Sequence, residues 1–275
     1  MLYLSKQHCN VIDVVDIGAM DVDHDKDLFA GLQNRSTISF EPNKTECNKL
    51  VDRGINALPY FIGDGQEHVF NEGAHPMTSS FFEPDIELME LFNDLANYSA
   101  VVNRTKEQTV KLDDVKEIGN IDLLKVDAQG SEVDILLGAS RFLKETLVIH
   151  TEVCFIPIYK NMPLFADIDQ TLRRYGFLFH KFYINNLCGR SFKPMTKKDD
   201  RFAPISQQMW TDVIYVKDFT KLSLLTEEKL LKLAIILNDV YRSYDFAHYV
   251  LSKIGMADDY RKRLTKGMTD GARQY

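Results

Sequence analysis

The chain has 275 residues with 33 Lys and Arg against 40 Asp and Glu, a formal charge of −7 with the histidines neutral, and is 45% hydrophobic and 27% charged. These values exclude a disordered or fibrous chain, and the length allows one large domain or two small ones. The acidic balance disfavours a nucleic-acid partner, whose phosphates call for a surplus of Lys and Arg.

The longest aliphatic stretch, residues 233–237, is far short of the ~18 residues of a membrane span. The opening MLYLSKQHCN lacks the long apolar region of a signal peptide, so a cytoplasmic protein is expected. Cys9, Cys47, Cys154 and Cys188 form no CxxC pair and no zinc signature, and are expected as free thiols.

Continuous apolar, β-branched runs at 11–17, 36–41, 55–62, 121–127 and 146–153 predict strands buried on both faces of a parallel sheet. Helical patterns fall between them at 26–34, 44–53, 85–97 and 131–143. In the last, Val133, Leu136 and Leu137, extended by Ala139 and Leu143, form an apolar stripe opened by Ser131 and Glu132. This alternation predicts an α/β fold built on a doubly wound, mostly parallel sheet. Further on come a helix over 164–175 closed by Gly176, strands over 177–184 and 211–218, and a surface loop over 188–208. From Thr226 the pattern is helical, which predicts a hairpin packed on the sheet domain. The expected division is residues 1–218 as the main domain and 219–275 as a C-terminal helical extension, with the last twenty residues mobile.

Ligands of doubly wound sheets sit at the carboxyl ends of the strands near the switch in strand order, which directs attention to the turn Asp16-Ile17-Gly18-Ala19-Met20-Asp21-Val22. A dinucleotide pyrophosphate needs further glycines there. This turn has Gly18 alone and continues into Asp21, Asp23, Asp25 and Asp27, which repel phosphate. S-adenosylmethionine carries no phosphate and is cationic at its sulfonium and ammonium, so the residues favour it over NAD. A calcium loop fails on spacing, because positions six and twelve counted from Asp21 hold Lys26 and Leu32. Glu41, about 23 residues after Gly18, stands where a carboxylate takes the ribose hydroxyls. Asn43 is placed to cap the next helix, and Asp64 to accept from an adenine amino group.

Four segments carry a family resemblance: VVDIGAMD (14–21), ISFEPN (38–43), VKLDDV with IDLLKVDAQGSEVDILLGA (110–139), and HTEVCFIPIY with the helix and GF turn after it (150–177). Together they resemble the FkbM-type S-adenosylmethionine-dependent methyltransferases. The third is the most specific, with Lys125, Asp127, Gly130, Glu132 and Gly138-Ala139 in the family's order and spacing. The resemblance implies a Rossmann-like class I methyltransferase fold and methyl transfer to a hydroxyl oxygen of a sugar, glycan or natural-product acceptor. The chain departs from the family at Met20 and Val22, where Asn and Gly are usual. Cofactor-site residues are then expected to be Asp16, Gly18, Ala19, Asp21, Glu41, Asn43 and Asp64.

Asp127 ends the fourth predicted strand, and His150 and Glu152 lie near the end of the fifth. A histidine with two carboxylates can act as general base and orienter, or hold a divalent metal. Lys125 shares the face of Asp127 by strand alternation and reads as an ion-pair partner. Residues 63–84 form a long βα connection of the kind that serves as a lid, with a partial hairpin through 68–70 as the plainer reading. Tyr159 is a candidate for the acceptor pocket. The competing functions are an NAD-dependent oxidoreductase and a methyltransferase-fold protein that binds without catalysis.

Overall fold

The computed structural model describes residues 4–8, 10–19 and 27–270, with the side chains of 184–186 and 265–270 outside that description. The first half runs β1 (Ile12–Ile17), β2 (Arg35–Phe40), α1 (Lys44–Asp52), β3 (Ala57–Leu58), β4 (Glu67–Gly73), α2 (Ile86–Met89), α3 (Leu95–Ser99) and β5 (Val101–Gln108). It continues through β6 (Leu123–Val126), α4 (Glu132–Gly138), β7 (Val148–Cys154), α5 (Phe165–Arg174), β8 (Phe177–Arg190) and β9 (Gln207–Lys217). Three helices close the chain: α6 (Glu227–Asp239), α7 (Tyr244–Ser252) and α8 (Ala257–Asp270).

Among the described residues seven strands form one sheet in the order β3-β2-β1-β6-β7-β9-β8, and β4 pairs with β5 in a separate antiparallel ribbon. The β3, β2, β1, β6 and β7 strands are parallel, whereas β9 runs antiparallel between β7 and β8. Strand order reverses at β1, so the carboxyl ends of β1 and β6 border a crevice.

Both faces of the sheet are covered, which is why its strands read as continuous apolar runs. On one face Val15, Ile17, Leu124, Val126 and Ile149 share a core with Ile135 and Leu136 of α4 and Ile168 and Leu172 of α5. On the other, Val14, Leu123, Val148, Ile214 and Val216 share a core with Leu230, Leu233 and Leu237 of α6 and Val250 and Leu251 of α7. Buried between sheet and α7, α6 also carries a charge inward: Lys232 Nζ lies 2.8 Å from Asp122 Oδ2, and both residues are buried. No helix among the described residues is long and apolar enough to cross a membrane.

Several expectations are corrected. Residues 27–34 form turns rather than a helix, with Asp27 Oδ1 accepting from the Phe29 amide and Arg35 paired to Asp27, while Lys26 lies outside the described residues. Of the run at 55–62 only Ala57–Leu58 joins the sheet, because Pro59 has no N–H to continue the ladder and Ile62 bridges to Val110 instead. The pattern at 85–97 splits into α2 and α3 where Asp94 turns left-handed (φ 56°) and Phe92 folds inward. In the pattern at 131–143, α4 stops at Gly138, where a Cβ would lie 2.3 Å from the Gly63 carbonyl oxygen, and Leu137 is exposed while Ile135 is buried. The region 188–208 is a loop only in its middle, since β8 reaches Arg190 and β9 begins at Gln207. Residues 257–270, expected to be mobile, are helical, and 271–275 lie outside the described residues. Cys47, Cys154 and Cys188 are free thiols, and Cys9 lies outside the described residues.

Lys232→Ala leaves the buried Asp122 carboxylate without its counter-charge and is expected to lower the unfolding free energy by about 3–5 kcal/mol in a urea titration. Combining Lys232→Met with Asp122→Asn removes both charges and is expected to regain most of that loss.

Candidate active site

Register alone brings the chemistry together. Asp16 pairs with Lys125 across β1 and β6, Lys125 with His150 across β6 and β7, and Glu152 with Asp212 across β7 and β9. By strand alternation these side chains project from one face of the sheet, near its carboxyl edge. They border an open cleft of about 1990 Å³, lined among others by Asp16, Gly18, Glu41, Asp127, Gln129 and Glu152.

The first wall is built by close backbone approach. Gly18 sits at φ 78° with its amide donating to the Phe40 carbonyl, and a Cβ there would lie 1.8 Å from the Asp127 carbonyl oxygen. Any larger residue at 18 would force β1 and β6 apart at the crevice. Glu41, just past β2, is 3% exposed; its Oε1 accepts from the Asn43 amide at 2.8 Å, and burial raises its pKa. Its Oε2 takes no hydrogen bond among the described residues. Asn43 lines the cleft, but its side chain is committed to α1, accepting from the Thr45 and Glu46 amides at 2.9 and 3.2 Å. Ala19 also lines the cleft, while Asp21, Met20 and Val22 lie outside the described residues.

The floor is a set of competing charges. Lys125 Nζ donates to Asp16 Oδ1 at 3.1 Å. Burial alone would lower the Lys125 pKa, but the Asp16 and Asp127 charges outweigh it and hold the ammonium above its ordinary range. Burial pushes Asp127 up, Lys125 opposes this and Asp212 adds to it. Glu152 is driven well above the usual carboxylate range, first by burial and then by repulsion from Asp127 and Glu132.

Gln129 connects these groups. Held at φ 49°, it directs Nε2 to Glu152 Oε2 at 3.1 Å and toward Asp127 Oδ1 at 3.4 Å. The Tyr159 hydroxyl lies 3.2 Å from Gln129 Oε1 and 3.0 Å from the Thr78 carbonyl, and Ser80 Oγ donates to the Gln129 carbonyl at 2.6 Å. The loop itself is shaped by Glu132, whose buried Oε1 accepts from the Ala128 and Gly130 amides at 2.9 and 3.3 Å.

Two expected site residues stand elsewhere. His150 does not line the cleft: 1% exposed, it is held by Asp212 at 2.9 Å and the Tyr241 hydroxyl at 3.3 Å, beneath the C-terminal helices. Alternation gives it the face of Glu152, but it sits two residues deeper, where Tyr183 and Tyr241 pack around the ring. Asp64 is likewise absent from the lining, its Oδ1 accepting from the Gln66 amide, Thr109 Oγ1 and His68. Among the described residues no group of three or more His, Cys, Asp or Glu is arranged to hold a metal ion. Lys125 and Gln129 occupy the space between the carboxylates. Gln129, Arg190 and Trp210 were missed in sequence. Gln129 lies inside the specific DAQGSE segment, Arg190 lies inside what read as a surface loop over 188–208, and Trp210 lies just beyond it.

Burial raises the Glu132 carboxyl, and backbone amides oppose this only in part, leaving it at about 7. The folded protein therefore holds a proton that the unfolded chain releases from about 4.5 upward, so this site's stability is present at low pH and lost as pH rises through about 7. Glu132→Gln removes that dependence. Relative to wild type its unfolding free energy is expected to rise by roughly 3 kcal/mol between pH 4.5 and 8, measured by urea titration.

Residues 16–179, more than half of the chain, match the family model of the methyltransferase FkbM domain. No curated protein sequence matches this chain. Among solved structures, the methyltransferase FkbM from Methylobacillus flagellatus KT is 13% identical, covering 75% of this chain and 43% of its own, with a TM-score of 0.41. The chain thus spans less than half of that protein's length. The TehB-like SAM-dependent methyltransferase from Corynebacterium glutamicum ATCC 13032 is 9% identical, covering 79% of this chain and 89% of its own, with a TM-score of 0.36. Sp1610 from Streptococcus pneumoniae, a putative tRNA (m1A22) methyltransferase, is 8% identical over 94% of this chain and 96% of its own, with a TM-score of 0.38. The mostly parallel, doubly wound sheet is Rossmann-like, and the chain belongs to the FkbM family of S-adenosylmethionine-dependent methyltransferases.

Proposed function

We propose that the chain transfers a methyl group from S-adenosylmethionine to a hydroxyl oxygen of a sugar, glycan or natural-product acceptor. The observation that carries this reading is the Asp127–Glu152 pair on the cleft floor, bridged by Gln129 and set against Lys125.

The residues fit the cofactor. Glu41 is buried at the crevice with Oε2 uncommitted among the described residues, which suits a ribose diol. Tyr60, stacked on Phe40 at 6.2 Å, adds an aromatic wall beside it. Asp16 lines the acidic end, compatible with the ammonium of the methionine moiety. When bound, S-adenosylmethionine supplies an electrophilic methyl group on its sulfonium. The chain's own work is then alignment and proton acceptance. Burial raises both carboxyls, Glu152 the further, so Glu152 is suited to keep the proton of the pair, while Lys125 opposes the rise at Asp127. Asp127 takes the acceptor hydroxyl's proton, and Gln129 fixes both carboxyl groups so that neither swings away.

S-adenosylhomocysteine is expected to bind in calorimetry and NAD not to bind. Glu41→Ala, by removing the ribose acceptor, is expected to cost about 1–3 kcal/mol of that affinity, and equal affinity in wild type and variant would remove Glu41 from the site. Asp127→Asn is expected to bind S-adenosylhomocysteine normally and to lose 10²–10⁴ in turnover, roughly 3–5 kcal/mol of barrier. Turnover is read by mass spectrometry with isotopically labelled methyl donor and cell-extract glycans. The wild-type rate is expected to fall on acidification above the ordinary aspartate range, because burial raises the Asp127 pKa. An Asn variant with near wild-type turnover would overturn the assignment of the base.

A further inference from the structure

The acidic cleft contains a cation that the proton-transfer chemistry leaves unused. Arg190, at the end of β8, lines the same cleft as Glu152 and Tyr159. Its guanidinium lies over the rings of Trp210 at 5.2 Å and Phe202 at 5.9 Å. Nη1 donates to the Gly189 carbonyl at 2.8 Å and reaches that of Phe202 at 3.5 Å. Nε is buried and has no hydrogen-bond partner among the described residues. The guanidinium edge formed by Nε and Nη2 is the one that takes two oxygens of an anion in parallel hydrogen bonds, and here it is uncommitted.

The nearby carboxylates do not supply the missing partner. Asp94 is ion-paired with Arg201, and Asp200 accepts from the Phe202 amide at 2.8 Å. Burial disfavours the Arg190 charge and lowers its pKa, and Cys188, then Asp200 and Asp94, oppose this only from a distance. A half-buried guanidinium held by aromatic rings with an unsatisfied Nε–H is costly to keep unless something anionic completes it. Its place identifies that partner as part of the acceptor. Trp210 pairs with Cys154, two residues beyond Glu152 on β7, which sets the Arg190–Trp210 corner about 7 Å further along the strand. The proposed base, Asp127, follows β6, two strand spacings from β9, so the corner stands roughly 12 Å from it, on the side away from Glu41. The floor's own cation, Lys125, is committed to Asp16 among the carboxylates, so the uncommitted edge of Arg190 is suited to receive an anion.

We propose that Arg190 is the acceptor-recognition residue and that the acceptor carries an oxyanion, a carboxylate or a phosphate, at a position remote from the hydroxyl that is methylated. This rests on the methyltransferase reading and narrows its acceptor class to uronic-acid or phosphorylated sugars.

Trp210 is the sequence's one tryptophan, so its fluorescence reports on this corner directly. The full chain is titrated with methyl glucuronide, glucose 6-phosphate and neutral methyl glucoside, and S-adenosylhomocysteine affinity is measured separately by calorimetry. A saturable Trp210 response to an anionic probe is expected, with the neutral glycoside at least tenfold weaker, and the stronger anion identifies carboxylate or phosphate. Arg190→Gln is expected to weaken the anionic probe at least tenfold with S-adenosylhomocysteine affinity unchanged. Arg190→Lys, which keeps charge but loses the fork, is expected to fall between. The proposal is overturned if a wild-type protein that binds S-adenosylhomocysteine gives no saturable response to either anion, if the neutral glycoside binds as tightly, or if both Arg190 variants bind the anion like wild type. Anion binding in a protein that does not bind S-adenosylhomocysteine would leave the oxyanion site standing and remove the methyltransferase reading instead.

Discussion

The carboxyl edge of the sheet gathers Asp16, Asp127 and Asp212 around the Lys125 ammonium, with Glu132 and Glu152 beside Asp127, and the rest of the site depends on how that charge is shared. One buried cation cannot neutralise so many carboxylates at once. Burial, reinforced by that crowding, raises the Glu132 and Glu152 carboxyls, while Asp16 keeps a direct bond to Lys125. Strand register imposes this crowding, because adjacent parallel strands present their same-face residues side by side. A fold that needs the crevice at β1 and β6 for its ligand thereby also obtains carboxyl groups with differing proton affinities.

Backbone proximity is the second constraint. Gly18 lets the first turn lie on the Asp127 carbonyl, and Gly138 lets α4 end against Gly63. These contacts hold Asp127 and its loop between the first turn and α4, so the carboxylates are positioned by strand ends and by Glu132 bonding back to the Ala128 and Gly130 amides. Precision of this kind comes from packed main chain and does not require long side chains to be ordered individually.

Strands with continuous β-branched runs were legible because burial on both faces leaves no polar alternation to confuse them, as in β1, β6 and β7. The strand β5 was not, because VVNRTKEQ is polar and largely exposed and pairs only with β4 at the cleft rim. Helix limits failed where tertiary contacts overrode periodicity, at Phe92 folding inward and at Gly138 meeting Gly63. In the site, Gly18, Glu41, Asp127 and Glu152 could be placed from strand ends. His150 misled, since alternation fixes a face but not a depth, and its ring lies under Tyr241. Gln129 and Arg190 were invisible for the opposite reason: each matters through a left-handed turn or an unmet hydrogen bond, and neither has a signature in residue order.

The β4–β5 ribbon and the carboxylates form one connected hydrogen-bonded body. Asn71 of β4 exchanges backbone bonds with Ser80, Ser80 Oγ donates to the Gln129 carbonyl, and Tyr159 touches both the Thr78 carbonyl and the Gln129 side chain. Gln129 in turn holds Glu152. A ligand that shifts the ribbon must therefore alter the proton affinity of Glu152, and a proton gained or lost there must alter the ribbon's affinity for that ligand by the same free energy. Ligand binding at the ribbon and protonation in this cleft are thermodynamically reciprocal, so proton uptake on binding is itself a measure of the coupling between them.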